Sequence, residues 1–232
     1  MVEMTARSQL LPARLLIRDP HNASVLVLSE YRKASAACER CPMGLHEVGH
    51  INGEVPEDGY GTLIASRFPM TGMRRVNEDV IEPHRMIEAQ IGDMLICGLY
   101  LDFDKRMNPY WEALYRSLPD RLARPAAFLG DYNSGRHHLD EVGATFISDG
   151  FMKDFEAKGV IDSWRSRHST AREYSWYNPR SKKMACRKDG FRLDHGFSTP
   201  SFDTMITSIR YSHAEREAGV SDHSVLIVAL GS

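Results

Sequence analysis

The chain has 232 residues, 42% of them hydrophobic, enough to bury a sizeable core and to exclude a disordered polypeptide. Its 29 Lys and Arg against 31 Asp and Glu leave a formal net charge of −2, which excludes a general polycation coating nucleic acid. The four cysteines are too few for a disulfide framework, no apolar run reaches membrane-span length, and no basic segment leads into an apolar one at the start, so a cytoplasmic setting is expected.

Taken in order, residues 1–11 form no recognisable strand, and Ala13 to Ile17 predicts a short helix ending before Asp19-Pro20. Ser24-Val25-Leu26-Val27-Leu28 predicts a buried strand that carries Glu30 to its C-terminal end. Alone, Glu30 reads equally well as an exposed acid beside Arg32 and Lys33. Cys38-Glu39-Arg40-Cys41 is followed by His46 and His50, but the spacing is far shorter than in common zinc fingers and no second CxxC exists. A helix with two small apolar thiols accounts for it better. Glu57 to Gly61 predicts a turn, Thr62 to Ala65 a strand, and Met94 to Tyr100 another strand with Tyr100 at its tip. Tyr100 could bond a phosphate or simply cap the core. Trp111, Leu114, Tyr115 and Leu118 have helical spacing over Tyr110 to Leu118, with Pro119 as the stop.

Phe128-Leu129-Gly130-Asp131-Tyr132-Asn133 has the pattern around which the chain is organised. An apolar strand end meets a tight glycine turn, and Asp131 and Asn133, two residues apart, should face one pocket if the backbone stays extended. A carboxylate can hold a metal or activate water, and an amide can donate to a charged oxygen. Phe151 to Ala157 predicts a helix and Gly159 to Trp164 a return to the core. The adjacent His137 and His138 should point apart and share no metal.

Between Arg165 and Arg192 nine Lys or Arg stand against two acids, Glu173 and Asp189, which leaves 29 − 9 = 20 basic and 31 − 2 = 29 acidic residues elsewhere. A basic face on an acidic body can bind a polyanion locally, and Tyr174-Ser175-Trp176-Tyr177 within it supplies rings for stacking; an ordinary basic loop and strand read as well. In Phe191-Arg192-Leu193-Asp194-His195 the alternation puts Arg192 and Asp194 on one face. Ser208 to Tyr211 predicts a short strand, and Ser221-Asp222-His223 leads into a final one at Val225 to Leu230. Without repeat, linker or composition break, 1–232 reads as one domain.

Polar groups thus recur at the tips of apolar segments. Together, Val25 to Glu30, Gly130-Asp131-Tyr132-Asn133, Tyr174 to Tyr177, Phe191 to His195 and Ser221-Asp222-His223 resemble the exonuclease III and abasic-site endonuclease branch of the endonuclease/exonuclease/phosphatase superfamily, from about Leu15 to Leu230. The resemblance implies a four-layered α/β sandwich, two mixed sheets face to face flanked by helices, with the site at one end. It implies Glu30 and Asp222 as ligands of Mg²⁺ (or Mn²⁺), and Asp131 as the group that orients or deprotonates the attacking water. It implies Asn133 and His223 at the phosphate, Asp194 orienting His223, Tyr100 at phosphate or leaving oxygen, and Trp176, Phe191 and Arg192 as substrate contacts. The implied partner is DNA, a duplex with a lesion, acted on by a monomer away from any membrane. One departure is plain: the family opens with a strand ending in Asn, and residues 1–8 offer no such strand, so the first strand is expected to be missing. Two other readings stand beside this one, a small-molecule phosphodiesterase or phosphatase of the same superfamily and a DNA-binding module without turnover.

Overall fold

The computed structural model describes residues 2–7, 23–31, 50–54, 60–179 and 189–231. The expected helix at 13–17, the CxxC at 38–41 with His46, most of the 57–61 turn and residues 180–188 of the basic stretch lie outside the described residues.

Two six-stranded sheets form the frame. The first comprises β1 (Val2–Arg7), β2 (Val25–Tyr31), β3 (His50–Glu54), β4 (Gly61–Ser66), β13 (Ile206–Ser212) and β14 (Val225–Leu230), in the order β13-β14-β1-β2-β4-β3. The second comprises β5 (Met70–Arg75), β6 (Met86–Ile91), β7 (Met94–Tyr100), β8 (Ala126–Asp131), β9 (Ile161–Asp162) and β12 (Asp194–Ser198), in the order β5-β6-β7-β8-β12-β9. Each sheet has one parallel pair at its centre, β1 with β2 and β7 with β8, and antiparallel pairs outward. A parallel pair needs a crossover, and between β7 and β8 it is the helix α1 (Asn108–Leu122).

The alternation of the strands explains the layers. Val25, Val27 and Ile64 from one sheet pack with Ile87, Ala89, Ile96, Ala127 and Leu129 from the other, and Leu226, Val228 and Leu230 close the same core. On the far side of the second sheet, Leu95, Cys97, Leu99, Phe128 and Phe197 meet Trp111, Leu114 and Leu118 of α1 and Met152 and Phe155 of α2 (Asp149–Ala157). The fold is therefore the α/β sandwich of two mixed sheets that the resemblance implies. No helix among the described residues is long and apolar enough to cross a membrane.

Two expectations are corrected, and a third element, unread in the sequence, is added. The first strand is present: Val2–Arg7 pairs antiparallel with β14 and parallel with β2, between two strands of strong β propensity. Val-Glu-Met-Thr-Ala-Arg is too polar to announce itself, and the flanking strands, not local propensity, hold it. It ends on Arg7 rather than Asn. Second, α1 runs through Pro119 to Leu122. Its last turn is anchored by Arg121, which donates to the buried Glu88 carboxylate (Nε to Oε2, 2.9 Å) and to the Ser117 carbonyl (2.6 Å). Third, β6 carries that buried Glu88 at its centre, so its sequence does not read as a core strand, although it is one.

Candidate active site

The site lies where β2, β7, β8 and β12 end together. Gly130 makes the approach possible: its φ is +147°, and a Cβ there would sit 1.9 Å from the Leu99 carbonyl oxygen. Ser29, wholly buried at the end of the apolar run of β2, donates to that carbonyl (2.8 Å) and accepts from the Asp131 amide (3.0 Å), so one hydroxyl ties the first sheet to both central strands of the second.

Beside Ser29, the pairing of β2 with β4 shifts between Leu28 and Tyr31, and Glu30 has φ 54°, left-handed backbone that a glutamate adopts only when its surroundings impose it. Its carboxylate accepts from the Tyr100 hydroxyl at 2.7 Å. Burial, then Glu30 and Asp131, push the Tyr100 pKa upward, so the phenol keeps its proton and donates. Arg85 lies over its ring, 4.5 Å from the centroid.

Asp131 is 1% exposed. It and Asn133 do not form an extended i, i+2 pair, since the chain turns at Asn133 (φ 46°). The two are joined instead by the Asn133 amide donating to Asp131 Oδ1 at 2.8 Å, while Asn133 Nδ2 gives one hydrogen to the Leu101 carbonyl at 2.9 Å. Burial raises the Asp131 pKa well above the usual carboxylate range; Asp194 and Glu30 raise it further against the opposing pull of His223.

Asp194 stands directly opposite Asp131 in the β8–β12 register. Its Oδ2 is 2.7 Å from His223 Nδ1, and its Oδ1 is buried with no hydrogen-bond partner among the described residues. Burial opposes charge on His223, but Asp194, with Asp131 and Asp222 adding to it, outweighs that and lifts its pKa to about 10, so the pair is an ion pair at neutral pH. Ligand atoms of Asp131, Asp194 and His223 all lie within 4.8 Å of one another. With His223 held as a cation by Asp194, these three are not a ligand set by themselves. The surplus of carboxylate, the orphaned Asp194 oxygen and the elevated Asp131 nonetheless fit a hard cation, which takes oxygen donors. Asp222 is exposed and accepts from Trp176 Nε1 at 3.2 Å.

Trp176 and Phe191 face each other across the two-stranded ribbon of β10 (Trp176–Tyr177) and β11 (Gly190–Phe191), rings 5.9 Å apart, and Phe146 meets Phe191 edge-on at 5.7 Å. Arg192 is not with them. It is fully buried, with Nε on Asp140 Oδ1 at 2.7 Å and its guanidinium nitrogens on Asp162, and so has no surface to offer a substrate. The substrate contact that the resemblance implies for Arg192 is thus not what this placement offers: β11 ends at Phe191, β12 begins at Asp194, and Arg192 between them turns inward. His137 and His138 are 6.3 Å apart by ring centroid and have separate backbone partners.

Ser29 and Ser175 were not singled out by sequence. Ser175 Oγ accepts from the amides of Leu193 and Asp194 (2.9 and 3.1 Å), and its carbonyl accepts from the Ser224 amide (2.8 Å), bracing Asp194 against the turn that carries His223. The available signal was a hydroxyl inside an apolar run, which must find buried partners.

No family model and no curated protein matches this chain. Solved structures do, over 100% of both chains at 18% identity each. They include a 3′ phosphatase, NExo, from Neisseria bound to product DNA hairpin (TM-score 0.84), an AP endonuclease from Archaeoglobus fulgidus (0.86), and the 3′-5′ exonuclease NExo from Neisseria meningitidis (0.83). The fold expected from the resemblance to the exonuclease III and abasic-site endonuclease branch is thus the fold this chain has.

Proposed function

We propose that the chain is a metal-dependent hydrolase of DNA phosphodiester bonds, acting at an abasic site or a 3′ end in a duplex, with Mg²⁺ or Mn²⁺ as cofactor. The observation that carries this reading is the gathering of Glu30, Asp131, Asn133, Asp194 and His223 from the ends of three strands and two turns, with Asp131, Asp194 and His223 sharing one 4.8 Å cluster. The DNA-directed enzymes named among the similar structures support DNA as substrate. The core shared by both sheets supports the reading of the chain as one domain.

Asp131 accepts the proton of the attacking water as the water oxygen bonds to phosphorus and the bond to the leaving oxygen breaks. Its raised pKa suits a base that must hold a proton. His223, charged and fixed through Nδ1 by Asp194, has Nε2 left to donate to a phosphate oxygen. Asn133, its amide oriented by Leu101, gives its second hydrogen to the same group as negative charge builds. Tyr100 spends its proton on Glu30 and so fixes that carboxylate. Glu30 and Asp222 would hold the metal, which when bound neutralises charge on the phosphate and leaving oxygens. Trp176 and Phe191 form the apolar wall for the substrate.

The test is cleavage of a labelled duplex bearing one abasic site, with Mg²⁺ or EDTA, beside Asp131→Ala. Incision that needs the metal and falls by about 10²-fold or more in the variant is expected, the size of a lost general base. Absence of incision by folded protein would overturn the reading.

One observation favours the small-molecule alternative. Of the nine basic residues between Arg165 and Arg192, two are buried against acids, Arg165 on Asp140 and Arg192 on Asp140 and Asp162, and the exposed Arg167 is paired with Asp203. The sequence count therefore overstates the basic face. A phosphodiesterase of small molecules would show little salt dependence, whereas DNA binding weakens steeply with salt.

A further inference from the structure

Trp176 is bound to the site in more ways than stacking requires. Its indole N–H donates to Asp222 Oδ2 at 3.2 Å, its backbone forms an antiparallel bridge with His223, and its ring lies 6.3 Å from the His223 ring. The residue before it, Ser175, braces Asp194 and Ser224. One dipeptide thus holds three consecutive residues of the turn, while the Trp176 ring is also part of the aromatic wall with Phe191.

Asp222 needs such a partner. It is exposed, on a short turn, with Ser221 and His223 on either side buried and Ser221 Oγ accepting from the His223 amide. An exposed carboxylate samples several rotamers, and each costs affinity for a cation that requires one of them. A donor on one carboxylate oxygen fixes the rotamer and leaves the other oxygen for the ion. Stacking explains an aromatic ring at 176, but not an N–H aimed at an acid, which phenylalanine would lack.

We infer that Trp176 is a positioning residue for the cation: its indole N–H orients Asp222, so that the wall which receives the substrate and the carboxylate which receives the metal are parts of one side chain's contacts. This inference rests on the metal-dependent reading above. It makes a substrate that displaces the indole also displace Asp222, and one that packs against the indole hold Asp222 in place.

The experiment is calorimetric titration of the full chain with Mn²⁺ alone, without DNA, on wild type, Trp176→Phe, Asp222→Asn and the double variant, each checked for an unchanged thermal unfolding midpoint. Losing the partner that orients a metal ligand is expected to weaken Mn²⁺ binding about 10-fold in Trp176→Phe. Adding Trp176→Phe to Asp222→Asn should then change affinity by less than about twofold, since the effect runs through Asp222. The metal concentration for half-maximal incision should rise by the same factor as the Mn²⁺ dissociation constant. Mn²⁺ affinity in Trp176→Phe equal to that of wild type overturns the inference and leaves the metal reading standing. A full additional loss in the double variant also overturns it, because Trp176 would then act elsewhere. No Mn²⁺ binding by wild type overturns both. Should Trp176→Phe unfold, Trp176→His, which keeps a ring N–H, replaces it: near-wild-type affinity supports the inference and a 10-fold loss overturns it.

Discussion

At Gly130 the backbone of β8 passes so close to β7 that no side chain fits, and the same contact delivers Asp131 to the site. Gly130→Ala would combine a left-handed backbone with a Cβ 1.9 Å from the Leu99 oxygen. We expect it to cost about 3 kcal/mol or more, read from chemical denaturation, with activity lost in whatever remains folded. Ser29→Ala is the gentler probe of the same junction. It removes a hydroxyl of negligible volume but strands the Asp131 amide and one bond of the Leu99 carbonyl in a dry interior. The expected cost is about 1–3 kcal/mol. A change below about 0.5 kcal/mol would mean that water fills the gap and that the hydroxyl does not organise the sheet junction.

At the scale of elements, the buried pair of Glu88 in β6 and Arg121 in α1 fixes the helix on the sheet. Arg121→Met would take from Glu88 a buried counter-charge, whereas Arg74, which also pairs with it, has a side chain 67% exposed. A loss of about 3–5 kcal/mol is expected, most of it recovered when Glu88→Leu is added, because two apolar groups need no pairing. Urea midpoints of the two single variants and the double variant check this; equal losses in all three would show that the pair itself carries stability. The same pair explains what sequence could and could not convey. β2, β7, β8 and β14 are apolar runs, and their ends with Glu30, Tyr100 and Asp131 were legible from pattern alone. β6 was not, since a buried acid looks like a surface one until its arginine, distant in the chain, is known. β1 failed for the related reason that its neighbours, rather than its residues, make it a strand. The resemblance named the residues of the candidate site, of which Asp131, Asp194 and His223 converge, but Asn133's left-handed turn and Arg192's inward course depend on backbone detail that the sequence pattern does not encode.

Apart from the candidate active site, a second buried charge assembly joins Asp140 and Asp162 with Arg165 and Arg192. It joins the loop after β8, the start of α3 (Ser163–His168), and the segment entering β12, and so holds in place the elements that present Asp131 and Asp194. Burial by itself would raise the Asp140 pKa; Arg192 beside it outweighs that and holds it at about 2, against 3.8 for an ordinary aspartate. Asp162 is held well below the usual range by the same guanidinium, again against burial. A carboxyl whose folded-state pKa is depressed contributes stability that is complete above its unfolded pKa and is lost as pH falls through the folded one. For Asp140 that window runs from about pH 4 down to about pH 2, and its shift corresponds to about 2 kcal/mol. The cluster's contribution to stability should therefore be flat between about pH 5 and 7 and be lost below pH 4, as protonation of its acids leaves Arg165 and Arg192 buried without counter-charge. Asp140→Asn removes the titrating group in advance. It should be less stable than wild type by about 3 kcal/mol at pH 7, and the gap should narrow between pH 4 and pH 2. Denaturant titrations of both proteins at pH 7, 5, 4 and 3 would decide it. A gap that stays constant down to pH 3 would mean that Asp140 is not the group whose ionisation holds the cluster, and that the acid sensitivity of the fold lies elsewhere.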